Sequence, residues 1–82
     1  MPLFMDIHRL EEIDPQALAG AHERDLQEQD RFGVKYLDYW YSTDEGAVFC
    51  LMEAPDAEAA SAVHAEAHGL IADEVIPVTR GS

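Results

Sequence analysis

The sequence is poor in positive charge and in most of what marks a familiar enzyme. Five lysines and arginines stand against 17 aspartates and glutamates, for a formal net charge of −12. Nucleic acid is excluded as a natural partner, because its phosphates need a basic surface. An anionic membrane surface is disfavoured for the same reason, whereas metal ions and basic partners are attracted. The one cysteine, Cys50, rules out an intramolecular disulfide and suits a reducing cytoplasm. No apolar run is long enough to span a bilayer. Met1 to Leu10 carries Asp6, His8 and Arg9 where a secretory signal would be uninterrupted. A phosphate-binding glycine loop, a Cys-x-x-Cys pair, a nucleophile elbow and a His-Glu-x-x-His helix are all missing. These absences weigh against a self-sufficient enzyme of a known type.

What is present is a foldable core. The 82 residues fit a single domain, 1–82, and 48 % apolar content is too high for a disordered chain. A chain this short buries only about 60–65 % of the surface its unfolded form exposes. A homodimer, which would enlarge the core, is therefore expected.

Residues 3–8 alternate, with Leu3, Met5 and Ile7 on one side and Phe4, Asp6 and His8 on the other, as in a half-buried strand. Asp14-Pro15 starts a helix, with Asp as N-cap and Pro where no amide hydrogen is missed. It runs to about Arg31, and Gly33 ends it. Residues 34–41 form an aromatic-rich strand, Ser42 to Gly46 a turn, and the near-continuous apolar run 47–53 a central strand. Pro55-Asp56 opens a second helix that closes at Gly69, a favoured C-terminal cap. A last strand spans 74–79, and Pro77 puts it at an edge. The order β-α-β-β-α-β is the ferredoxin-like α+β arrangement: a four-stranded antiparallel sheet with two helices on one face. Phe4 and several of Tyr36, Tyr39, Trp40 and Tyr41 are expected on the open face, where apolar exposure favours dimerisation.

The strongest local chemical signal is His64-Ala-Glu-Ala-His68. Histidines at i and i+4 point the same way and can share one metal ion; their neutral rings suit nickel, zinc and copper. With Val63 at the centre of the buried stripe, His64 and His68 fall at roughly 100° and 140°, at the margin of the helix. The topology gathers the end of strand one, the end of helix two and the start of strand four. His8, Asp73 and Glu74 should therefore lie near His64 and His68. Whether His8 faces the helices or the open side is not settled by the pattern.

A second constellation is His22 with Asp25, both on the core-facing stripe of helix one near Leu18. Burying them is costly unless they are hydrogen-bonded. They read either as a functional pair, with Asp25 orienting His22 as base or ligand, or as a polar pair that fixes the helix on the sheet. Cys50 reads as a small buried apolar residue, since a reactive thiolate needs positive surroundings. Glu53 could form a salt bridge, cap a helix or bind metal. The aromatic run 36–41 suits core and interface better than a pocket.

Taken in order, Ala21-His22-x-x-Asp25-Leu26, Gly46-x-Val48-Phe49-Cys50-Leu51-x-Glu53-Ala54-Pro55, Val63-His64-x-x-Ala67-His68-Gly69 and Ala72-Asp73-Glu74-Val75 resemble a group of small bacterial nickel-binding, nickel-responsive proteins. The resemblance covers nearly the whole chain. It implies a dimeric ferredoxin-like fold, nickel at the protein surface, and a role in handling or responding to the metal. His22, Asp25, Cys50, Glu53, His64, His68 and Glu74 occupy motif positions. From residues and resemblance together, the expected metal site draws on His64, His68, His8, Glu74, His22 and Asp25, with Ni2+ as the ion and Zn2+ or Cu2+ as substitutes. Two other functions compete. One is a small cofactor-free enzyme using His22 and Asp25, which needs a closed cavity beside His22. The other is an interaction module that works through the open sheet face.

Overall fold

The computed structural model describes residues 1–81. Its elements follow in the order β1 (Leu3–Arg9), α1 (Pro15–Glu28), a 3-10 turn (Gln29–Phe32), β2 (Lys35–Ser42), β3 (Ala47–Glu53), α2 (Ala57–Ala67) and β4 (Glu74–Val78). The sheet order is β2-β3-β1-β4, and every neighbouring pair is antiparallel. This is the ferredoxin-like α+β fold. Among the described residues, no helix is long and apolar enough to cross a membrane.

Local chemistry explains the boundaries. Asp14 caps α1 by accepting from the Gln16 amide, and Pro15 occupies the first turn, where its missing N–H costs nothing. Helix one tightens into 3-10 geometry at Gln29, and Gly33 then stops it in the left-handed region. Asp56 caps α2 through the Ala59 amide at 2.8 Å, so the helix begins one residue after Asp56. At the β2–β3 turn Gly46 has φ of +62°, and a Cβ there would come within 2.6 Å of the Leu10 carbonyl oxygen. Only glycine fits that approach. Pro77 sits in the edge strand β4, where a missing donor is tolerated.

Both helices pack on the sheet face that carries Phe4, Tyr36, Val48, Cys50 and Met52, with Ala60 and Val63 of α2 closing the core. This corrects one expectation. Phe4 and Tyr36 are buried under the helices, and Tyr39 packs against the same cluster. The register is the reason: Phe4 and Tyr36 both pair with Met52, a fully buried residue of β3. Asp6 and His8 alternate with Phe4, so they too lie under the helices. Of the expected residues Trp40 does lie on the open face, in register with Phe49, Ile7, Met5 and Ile76 across the four strands.

Candidate metal centre

Among the described residues, four polar side chains are buried between sheet and helices: Asp6, His8, Asp25 and His64. β1 supplies Asp6 and His8, α1 supplies Asp25, and α2 supplies His64. His64 is at the centre. Its ring donates from Nδ1 to Asp25 Oδ1 at 2.9 Å and from Nε2 to Asp6 Oδ2 at 2.6 Å. The Tyr36 hydroxyl donates to the Ala60 carbonyl, and its oxygen lies 3.3 Å from His64 Nε2. The His8 ring meets His64 edge-on, with centroids 4.9 Å apart.

The position of His64 differs from the helical-wheel expectation. It is 1 % exposed and does not sit at the margin of α2. The wheel treats a helix alone, but here α1 lies alongside α2 and covers its flank. His68 stays half-buried, and its Nε2 reaches Asp25 Oδ1 at 3.0 Å. The two histidines of the i, i+4 pair therefore converge, with ring centroids 5.2 Å apart, on a shared carboxylate.

The remaining sequence candidates are distributed differently. Asp25 is bonded to His64 and His68, not to His22. His22 lies with its ring centroid 4.4 Å from that of Tyr39, and its Nδ1 is buried without a hydrogen-bond partner. Glu74 pairs with Arg9 at 3.0 Å on the surface, away from the histidines. Asp73 does meet the end of β1, but as acceptor for the Arg9 amide.

Two residues that sequence reasoning left out of the site enter it. Among the described residues, Asp6, His8, Cys50 and His64 can each direct one donor atom into a group in which all lie within 4.8 Å of one another. A second group, Asp25, His64 and His68, satisfies the same condition. Asp6 was hidden because a polar i, i+2 pair on a strand with an apolar opposite side reads as a solvent face. The usable signal was Asp25, a carboxylate in an apolar helical stripe that had to find a partner across the core.

Charge follows geometry. Burial works against a charge on His64, but the carboxylates of Asp25 and Asp6 outweigh it and push its pKa up to about 11. Burial alone would raise Asp6; His64 and His8 overcome it and hold the carboxyl down at about 2. His64 is thus a cation clamped between two anions. Burial drives the Cys50 thiol up to about 11 and raises Tyr36, which Asp25 and Asp6 raise further. Burial also lowers His68.

The donor set fits a borderline divalent ion. Two imidazole nitrogens, a thiol sulfur and a carboxylate are ligands for nickel, zinc and copper, whereas magnesium and calcium prefer oxygen alone. One observation goes beyond composition. Asp6 Oδ1 is buried with no hydrogen bond, although His8 Nε2 stands 3.3 Å away, out of alignment. A buried acceptor left over beside a second imidazole is where a cation would be stabilised. With an ion on the Nε2 side, Asp25 would hold His64 through Nδ1, as carboxylates commonly hold metal-bound histidines.

Comparison with known proteins gives the family. A family model described as nickel responsive protein, SCO4226-like, matches residues 4–78. The chain belongs to that family. Among solved structures, the crystal structure of SCO4226 from Streptomyces coelicolor A3(2) is similar at 36 % identity and a TM-score of 0.88, over 98 % of this chain and 99 % of that one. No curated protein matches.

Proposed function

We propose that this chain binds a divalent transition ion, nickel first, at the buried cluster of Asp6, His8, Cys50 and His64. It would serve to buffer, sequester or respond to that metal in the cytoplasm. The observation that carries the reading is the convergence of four buried donors of three chemical kinds within 4.8 Å of one another. Asp25 and His68 support the site from the other side of the His64 ring. The surface charge of an acidic chain adds a general attraction for cations. Zinc and copper fit the same donors, so selection among the three rests on geometry and supply.

Calorimetric titration with nickel tests the assignment. His8→Ala and Cys50→Ser each remove one donor and should weaken binding at least about tenfold, because the ion loses a direct ligand. A sulfur-to-nickel charge-transfer band should appear on loading and vanish in Cys50→Ser. Unchanged affinity in both variants, with native circular dichroism, sinks the site.

The reading includes a homodimer formed through the open sheet face, where Trp40 and Ile76 are large, apolar and exposed. Sedimentation of the metal-free protein checks it. The competing idea of a small enzyme loses its main support, since Asp25 does not orient His22 and the cavity beside His22 measures only about 30 Å³.

A further inference from the structure

The open face of the sheet differs in charge from the rest of this acidic chain. By the strand register it carries Arg9 and Lys35 with Asp38, Glu53 and Glu74, and Arg80 joins it just beyond β4. Three of the five basic residues of a chain with net charge −12 therefore border one face and leave it balanced. The remaining surface is strongly acidic and would repel a second molecule of the same charge; this face would not. A basic partner would gain little from a balanced face and would be drawn to the acidic surface elsewhere. The charge pattern thus selects a second copy of this chain as the occupant.

Shape says how two copies meet. An apolar band runs obliquely across the strands, from Val78 and Leu3 through Met5 and Leu51 to Phe49 and Trp40. At one end Trp40 stands on the edge strand β2 and is 50 % exposed. The other end is hollow. Leu3, Met5, Leu51, Val78, Thr79 and Arg80 line a groove of about 200 Å³. Benzene fills engineered cavities of about 150 Å³, so this groove has the size for an indole ring. Its aliphatic walls suit the ring edges, and the Arg80 guanidinium suits the ring face, since tryptophan is the best aromatic partner for a cation. Ring and groove lie at opposite ends of the band and do not meet within one chain. A two-fold axis brings them together across two copies, and does so twice, because an isologous contact is reciprocal.

We infer that in the homodimer each Trp40 ring seats in the groove of the other copy, against Leu3, Met5, Leu51 and Val78 and beneath Arg80. The inference rests on the dimer reading above. It adds the anchor, the socket and the orientation of the two copies. The groove is centred on β1 and Trp40 stands on β2, with β3 between them. The axis therefore passes beside β3, near Phe49 and Leu51, and these residues meet their own counterparts.

Trp40 is the one tryptophan of the chain, so fluorescence reports its ring directly. The metal-free protein is followed by emission and by sedimentation equilibrium over a range of concentrations. The emission should move to the blue as the dimer forms. Val78→Phe fills the groove. With Trp40 present it should raise the dimer dissociation constant at least about tenfold; in a Trp40→Ala background, where no ring enters the groove, by less than about twofold. Arg80→Ala lies beyond β4 and serves if Val78→Phe folds poorly. It should raise the constant about fivefold, again only with Trp40 present. A dimer whose indole emission stays that of an exposed ring overturns this inference alone. So does a dimer that neither variant weakens, or that both weaken equally with Trp40 present or absent. A wild type that stays monomeric overturns the dimer reading and this inference together.

Discussion

The two faces of the sheet divide their chemistry in an unusual way. The face under the helices holds Asp6, His8 and Cys50, with His64 of α2 lowered onto them, all buried. The open face holds Met5, Ile7, Phe49, Trp40 and Ile76. Small domains usually keep the apolar side in and the polar side out. Here the covered face accepts a large desolvation cost, offset locally by the carboxylate–imidazole–carboxylate clamp. Structural economy alone does not favour this, since apolar residues of similar volume often replace buried ion pairs without loss. A polar cluster set into the apolar core of the covered face, together with an apolar open face, is what a chain would show if the interior carried the function and a second copy covered the outside.

The largest effect should come from opening the clamp. His64→Ala leaves Asp6 and Asp25 buried without their central partner and should cost about 3–5 kcal/mol. For a domain whose total stability lies within about 5–15 kcal/mol, this approaches unfolding. Urea denaturation of the metal-free protein measures it. The sharper version replaces Asp6, Asp25 and His64 together by leucine. If the clamp is present for binding and not for stability, the triple variant should be as stable as the wild type or more so, and should take up no nickel. A triple variant as weak as His64→Ala would instead make the cluster structural.

That asymmetry also explains what the sequence reveals and what it hides. The elements are legible because their signals are local: Asp14-Pro15, Gly33, Gly46 and the apolar run 47–53 each act within a few residues. The i, i+4 pairing of His64 and His68 is legible for the same reason. Which face of β1 lies inward is not, because Leu3, Met5 and Ile7 offer a better apolar face than Phe4, Asp6 and His8. Alternation alone would bury the first set. The decision is made by Asp25 and His64, which stand 39 residues apart in sequence and meet only after both helices have docked. Cys50 looked inert for a related reason. Nothing adjacent to it in sequence shows that Asp6 and His8 lie on the next strand.

The open face is probed by Trp40→Asp. If a second copy covers that face, the dimer dissociation constant should rise about 30-fold or more, as for an aromatic anchor worth about 2 kcal/mol. The stability of the isolated subunit should move by no more than about 0.5 kcal/mol. Sedimentation equilibrium and urea denaturation at low concentration separate the two numbers. A wild type that is monomeric at high concentration removes the proposed role of this face.

Acidity probes the covered face, where His64 and Asp6 titrate far from their ordinary ranges. His64 has its folded pKa raised from 6.5 to about 11, so its contribution is complete below about pH 6.5 and lost as pH rises towards 11. Asp6 has its folded pKa lowered from 3.8 to about 2, so its contribution is present above about pH 4 and lost as pH falls towards 2. Metal-free protein should therefore be most stable between about pH 4 and 6.5, with each limb no steeper than about 1.4 kcal/mol per pH unit per proton. Nickel should reverse the alkaline limb, because it takes the Nε2 position that the proton holds. Calorimetry in two buffers of different ionisation enthalpy should show about one or two protons released per ion bound.

The smallest expected effect tests whether the covered face depends on its helix as a whole or only on the residues that touch. Asp56 caps α2 through the Ala59 amide and makes no contact with the cluster. Asp56→Ala should cost about 1 kcal/mol of stability, the usual loss for an N-cap. His64 lies two turns further along the helix and is held by Asp6 and Asp25, so fraying at the cap should not reach it. Nickel affinity should change by less than about twofold, while the urea midpoint falls. A parallel loss of affinity and stability would mean that the donors are positioned by the entire helix–sheet packing, and that the clamp around His64 is less self-supporting than its hydrogen bonds suggest.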